Sequence, residues 1–463
     1  MLRAMRSFRF SRAASATILL IAPNAITQPA APAAAPAEQP VAAAPACSRG
    51  EKSAIAELAC ELGRGLGKVP NGALVASGAL QSDTKLDAPE PLADRIAAVV
   101  AGNLGQGVRA ARGAAGLSRA RALASAAGTL VHLRPSIEQG ELRVVADVYP
   151  VPKSFWDRVR DPTPSPSAHA FASRRLDAEI RTFLPAVPLL AREVSKAVSP
   201  ETHPVALACE DVEGNGSLEL LLVGRRHIRL GRIRKAKLAV QVSVEWTKLS
   251  PVAQSPLREP IGSTAVTPGI HVDVGISDRA QAVRLDPSLA PAGSVGRRLP
   301  WPNGGCSRFD GIALAPKRVP CHPGDATPVS PDFEHRTDAI AGTRLVGRDG
   351  RLRSFAAGRI ANTGTAVLRD SDGRQVQLQG VGAQLALGDV DGDGQPELVS
   401  GADTLKPEGD AMVVHTWMND GTVRERLRLA VPTGVYALAV CPPDSAGPAA
   451  IAVATRSSIW IVR

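Results

Sequence analysis

The chain of 463 residues is long enough for two or three domains, each with its own core. A hydrophobic content of 44% excludes a wholly disordered chain, and aromatics at only 3% leave little to stack on bases, which argues against nucleic-acid binding. The net charge of +10 is instead compatible with an acidic cell-surface polymer as partner.

Residues 1–26 read as a signal peptide. Arg3, Arg6, Arg9 and Arg12 form a positive region, residues 16–22 (ATILLIA) a short apolar core, and small residues follow. Residues 27–50 are an Ala/Pro-rich linker with few groups able to build a core. No later segment approaches the roughly 20 apolar residues of a membrane helix, so the expected location is the periplasm or the cell surface. The six cysteines agree with an oxidising compartment, being even in number with no CxxC pair. Cys306 and Cys321 flank a Gly/Pro-rich loop and read as a local disulfide, as do Cys47 and Cys60. Closing loops of that size stabilises by about 3 kcal/mol. The pairing of Cys209 and Cys441 stays open. A second reading makes Cys47, after Ala46, a lipid-acceptor cysteine, although Ala44-Pro45 fits such a signal poorly.

Residues 51–150 carry a small αβ pattern. A helix-like run ends at 63–67 (GRGLG), residues 73–80 (ALVASGAL) read as a buried strand, and 89–102 as a helix with Leu92, Ile96, Val99 and Val100 on one face. A helix over 117–127 and strands over 129–134 and 141–149 (ELRVVADVY) follow. This order, with its AGTLVHLR…GELRVVADVY rhythm, resembles a small domain of envelope proteins. That domain occurs in the N-terminal part of the Tol translocation protein and in curli-secretion and flagellar accessory lipoproteins. The resemblance implies contact with an envelope protein. Residues 151–204 read as a Pro-rich connector with a helix near 174–184.

From 205 to 463 the texture changes to short strands between Gly, Asp and Pro turns, with Asp349-Gly350, Asp372-Gly373 and Asp420-Gly421 as hairpin signals. Segments 206–219, 384–397 and 437–450 overlay as apolar strand, loop and second apolar strand. Their spacing leaves room for two or three diverged copies, hence an all-β propeller of about five or six blades behind the α+β domain. The last blade runs out of chain, so it is expected to borrow a strand from 185–204.

One copy carries chemistry. In Asp389-Val-Asp391-Gly-Asp393-Gly394-Gln395-Pro-Glu397, alternate side chains supply hard carboxylate oxygens, Gly394 permits the sharp turn, and Gln395 offers its backbone carbonyl. Such a set suits Ca²⁺ better than Mg²⁺. An EF-hand would place a Glu where Ser400 stands, and the flanks are strands rather than helices. The loop is similar instead to the calcium loop of FG-GAP (VCBS-type) repeats, as in integrin α-subunit propellers. That resemblance implies Asp389, Asp391, Asp393 and Glu397 as ligands. Asp211, Glu213, Asn215 and Glu219 keep the pattern with less charge, while Pro442, Asp444, Ala446 and Ala450 have lost it. A closed oxygen cage of this kind is structural and leaves no open position for a substrate.

Nucleophile elbows, HExxH and Cys/His metal spacings are absent from the sequence, and the P-loop-like 63–68 lacks its first glycine and its Ser/Thr. The expectation is a non-enzymatic binding or scaffolding protein. The alternative is a polysaccharide hydrolase or lyase with its site in the propeller funnel. His271 and Asp273 alternate as a solvated pair on a half-buried strand. Arg225, Arg226, Arg229, Arg232 and Arg234 form a basic run, read either as a solvated outer face or as a dock for an anionic surface.

Overall fold

Ser53 opens the first helix. Its Oγ accepts from the Ala56 N–H at 3.3 Å, and Ile55, Leu58 and Leu62 recur on the buried face of Ala54–Leu66. The computed structural model describes residues 53–463 except 153, 162–163, 192, 255–259, 326–331, 419 and 444–447. The signal peptide, the linker and Cys47 therefore lie outside the described residues. Cys60 is disulfide-bonded. Among the described residues no helix is long and apolar enough to cross a membrane.

A second helix, Pro89–Leu104, begins with proline, whose missing N–H costs nothing in the first turn, and buries Leu92, Ile96 and Val100. Both helices pack on a mixed sheet. Leu74–Ser77 lies parallel to Arg109–Ala110 and Thr129–Glu138, and Thr129–Glu138, Glu141–Pro150 and Ala168–Arg175 then run antiparallel. The last of these strands falls in the stretch expected to be connector. Its inward residues are Ala170 and Ala172, while Phe171 points outward, so burial of alanines left no strong apolar alternation to read. The helix expected near 174–184 shrinks to Ala178–Arg181. Ile180 and Phe183 beyond it still bury themselves in the same core.

The rest of the chain is a β-propeller of antiparallel meanders. The first is Pro204–Glu210, Glu219–Gly224, His227–Arg234 and Lys237–Glu245, and the second Gly262–Thr267, His271–Ile276, Ala282–Leu285 and Pro291–Gly296. A three-stranded piece follows, Arg298–Pro300, Cys306–Asp310 and Ala313–Val319. The third meander is Thr337–Val346, Leu352–Ile360, Thr365–Asp370 and Gln375–Gln379. The fourth is Val381–Gly388, Glu397–Ala402, Ala411–Trp417 and Val423–Ala430. Ala437–Cys441, Ala450–Ala454 and Ser458–Val462 begin the fifth. Asp349-Gly350, Asp372-Gly373 and Asp420-Gly421 all stand in hairpin turns.

Packing explains why the strands read differently. Ala450–Ala454 and Ala411–Trp417 are buried on both faces because neighbouring meanders cover both, whereas the outer strand Val423–Ala430 is exposed at most positions. Apolar clusters join the meanders in a circle. Val223 shares a cluster with Val274, Ala282 with Cys306, Leu314 with Ile340, Leu387 with Ala357, and Val399 with Val453. Leu222 and Ala452 then bring the first and fifth together.

The fifth meander takes its outer strand from Val194–Val198, paired antiparallel to Ser458–Val462, so the expectation of a borrowed strand holds. Replacing residues 185–204 with a Gly/Ser linker is expected to bare the Ser458–Val462 edge and convert cooperative melting into aggregation. A soluble variant melting cooperatively at the wild-type temperature would show that the ring closes without it.

Candidate metal centre

The 389–397 loop joins the first two strands of the fourth meander. Gly392 and Gly394 take φ of 78° and 84°, and a Cβ at 394 would come within 3.1 Å of Thr182 Cγ2. Backbone amides draw the acids inward. Asp389 accepts from Gly392 at 2.8 Å and Gly394 at 3.0 Å, Asp391 from Asp393 at 3.1 Å, and Asp393 from Gln395 at 2.7 Å. Glu397 Oε2 accepts from the Val390 N–H at 2.7 Å. Asp389, Asp391 and Glu397 thereby each bring an oxygen within 4.8 Å of the others. Asp393 is partly exposed beside them. The loop also docks on the αβ side of the molecule, because the Val187 N–H donates to the Asp391 carbonyl at 2.7 Å.

Crowding of buried negative charge shows in the protonation equilibria. Burial pushes Asp389 up to about 7, with Asp391 and Asp393 adding to the effect. Asp391 rises to about 6 through burial and then the Asp393 charge. Glu397 is raised well above the ordinary range by burial and by Asp391.

How the other buried acids are treated makes this group stand out. Nine Asp and Glu residues are buried among the described residues, and seven of them form an ion pair with an arginine, as in Glu179–Arg95, Asp278–Arg225 and Asp370–Arg374. The exceptions are Asp391 at 1% exposure and Glu397 at 0%. Glu397 Oε1 has no hydrogen-bond partner, nor has Thr416 Oγ1, which faces it in the strand register. Hard, desolvated oxygens with an open acceptor fit a divalent cation such as Ca²⁺.

The 211–219 loop has the same frame but a different filling. Asp211 accepts from Asn215 at 2.9 Å and Gly216 at 2.7 Å, and Glu219 Oε2 accepts from the Val212 N–H at 2.9 Å. Asn215 Nδ2 donates to Glu213 at 2.6 Å. Glu219 Oε1 is taken by Arg232, whose Nε donates at 3.0 Å and whose Nη2 also reaches it. These four residues are not gathered into an open acidic group. Of the third loop, Asp444 and Ala446 lie outside the described residues.

A second acidic group, Asp273 and Asp325 beside Cys321, is already closed. Arg284 bridges both carboxylates at 2.7–3.1 Å, and Cys321 is bonded to Cys306 as its spacing suggested. Asp273 is thus a buried ion-pair member rather than half of a solvated pair with His271.

The basic run does not form one surface either. Arg225 pairs with Asp278, Arg229 with Glu201 and Arg232 with Glu219, while the exposed Arg226 and Arg234 sit at opposite ends of His227–Arg234. The partners come from distant segments that spacing could not reveal.

Inner strands of all five meanders line a central channel of about 850 Å³. Its wall is mostly small and apolar, with Ala208, Gly262, Ala341 and Ala439 as examples. Two acids of the lining are committed to structure: Asp410 accepts from the amides of Ala402, Ala411 and Val435, and Asp338 holds Arg359 at 2.8 Å, while Asp403 is exposed. Glu210, half-buried in the wall, is pushed up to about 7 by burial and by Asp211. Leu405 and Ile312 project from the mouth, exposed.

No protein-family model matches the chain, and no curated protein matches its sequence. Among solved structures it is similar to virginiamycin B lyase from Staphylococcus aureus at 9% identity, covering 58% of this chain and 98% of that one with a TM-score of 0.31. It is also similar to a member of the DUF4221 family from Bacteroides vulgatus, at 8% identity, 60% and 98% coverage and a TM-score of 0.35. TolB from Acinetobacter baumannii is similar at 10% identity, 85% and 94% coverage and a TM-score of 0.30.

Proposed function

We propose that this protein is an exported, non-catalytic binding scaffold whose propeller is of the FG-GAP type and is stiffened by Ca²⁺ held at Asp389, Asp391, Asp393 and Glu397. Two buried carboxylates without an arginine ion pair, where each of the other seven among the described residues has one, carry this reading. Five four-stranded blades with the three-stranded piece as a shortened sixth is the blade count this reading takes. Disulfides Cys209–Cys441 and Cys306–Cys321 support an oxidising compartment.

Binding fits the channel better than hydrolysis. Glycoside hydrolysis uses two converging carboxyl groups, and of the channel acids Asp338 and Asp410 are already held by Arg359 and by backbone amides. The exposed Leu405 and Ile312 at the mouth suit an envelope protein.

Titration calorimetry of Ca²⁺ into the chelator-treated full-length protein tests the reading. Saturable binding at one site is expected, and its loss in Asp391→Ala. A folded wild-type protein that takes up no Ca²⁺ would overturn it.

A further inference from the structure

The two loops share part of their scaffolding. Val212 N–H to Glu219 Oε2 at 2.9 Å corresponds to Val390 N–H to Glu397 Oε2 at 2.7 Å. Gly216 N–H to Asp211 at 2.7 Å corresponds to Gly394 N–H to Asp389 at 3.0 Å. Both glutamates are 0% exposed and begin the second strand of a meander. The loops differ in what meets the second glutamate oxygen.

That position belongs to the third strand. Glu397 pairs with Thr416, and the pairing of Gly231 with Leu220 carries the same register to Arg232 opposite Glu219. Arg232 fills its site with a guanidinium that donates to Glu219 Oε1 and lies 3.7 Å from Glu213. Thr416 is too short to do so, and its hydroxyl and Glu397 Oε1 are both left without partners. A guanidinium is a permanent cation with a planar fork of donors, the protein's own counterpart of a metal ion at a carboxylate. Charge follows the same division: the Arg232 loop has replaced one acid by Asn215, whereas the open loop keeps Asp393.

We infer that the residue facing the terminal glutamate decides whether each loop is closed by the chain's own arginine or by a divalent cation, and that Arg232 masks a latent second cation site at Asp211, Glu213, Asn215 and Glu219. This rests on the reading that the 389–397 loop binds Ca²⁺, and one experiment separates the two.

Calorimetric stoichiometry for Ca²⁺ and melting with and without Ca²⁺ are measured on full-length wild type, Arg232→Thr, Arg232→Met and Thr416→Arg. The expected site counts are one, two, two and none, with melting of Thr416→Arg indifferent to Ca²⁺. Arg232→Met keeps side-chain volume, so it decides if Arg232→Thr fails to fold. One site in wild type and still one in both folded Arg232 variants would overturn the inference while leaving the calcium reading intact. No site in wild type would remove both.

Discussion

Removing the Cys209–Cys441 bridge, as Cys209→Ala/Cys441→Ala, is expected to lower stability by about 5 kcal/mol in the chain-entropy picture. The bridge spans 232 residues and ties the inner strand of the first meander to that of the fifth. It therefore closes the ring a second time, beside the borrowed strand Val194–Val198. Both sulfurs sit among Leu220, Leu222, Ala450 and Ala452, so alanine leaves a small apolar gap rather than a stranded polar group. Melting is expected to fall by about 10 to 20 °C, given roughly 2 to 4 °C per kcal/mol for a body of this size. The Cys306–Cys321 bridge spans only 15 residues, and its removal is expected to cost about 3 kcal/mol. Urea unfolding of both variants decides the matter. If losing the short bridge costs more than losing the long one, ring closure does not depend on Cys209–Cys441.

Asp391→Asn is expected to change the sign of its effect with the metal. In chelator the variant should be more stable than wild type, because a buried carboxylate without an ion-pair partner costs several kcal/mol when ionised and its neighbours carry like charge. In Ca²⁺ it should be the less stable, because it loses a ligand. Wild type gains about 2.7 kcal/mol when free Ca²⁺ exceeds its dissociation constant 100-fold, or about 5 to 10 °C in melting temperature. Melting curves of both proteins in chelator and in Ca²⁺ form the test. A variant destabilised equally in both conditions would make the loop an ordinary turn. Because Val187 and Thr182 rest on this loop, the cation also bears on how the αβ sheet meets the propeller.

Local physics was legible in the chain. Glycines with aspartates at 349–350, 372–373 and 420–421 could only be tight turns, the 3.6-residue recurrence of Leu92, Ile96 and Val100 could only be a helix face, and the spacing of Asp389, Asp391, Asp393 and Glu397 set carboxylates along one loop. Those features depend on neighbours within a few residues, where backbone geometry fixes what can meet. Tertiary structure decided everything that joins distant segments. It paired Cys209 with Cys441, drew Ala168–Arg175 into the αβ sheet on the strength of two buried alanines, and gave Arg225, Arg229 and Arg232 to three separate acids. The pattern of acids alone made two loops look alike as cation sites. Only the strand register, which sets Arg232 against one glutamate and Thr416 against the other, separated the loop that is already neutralised from the one that is not.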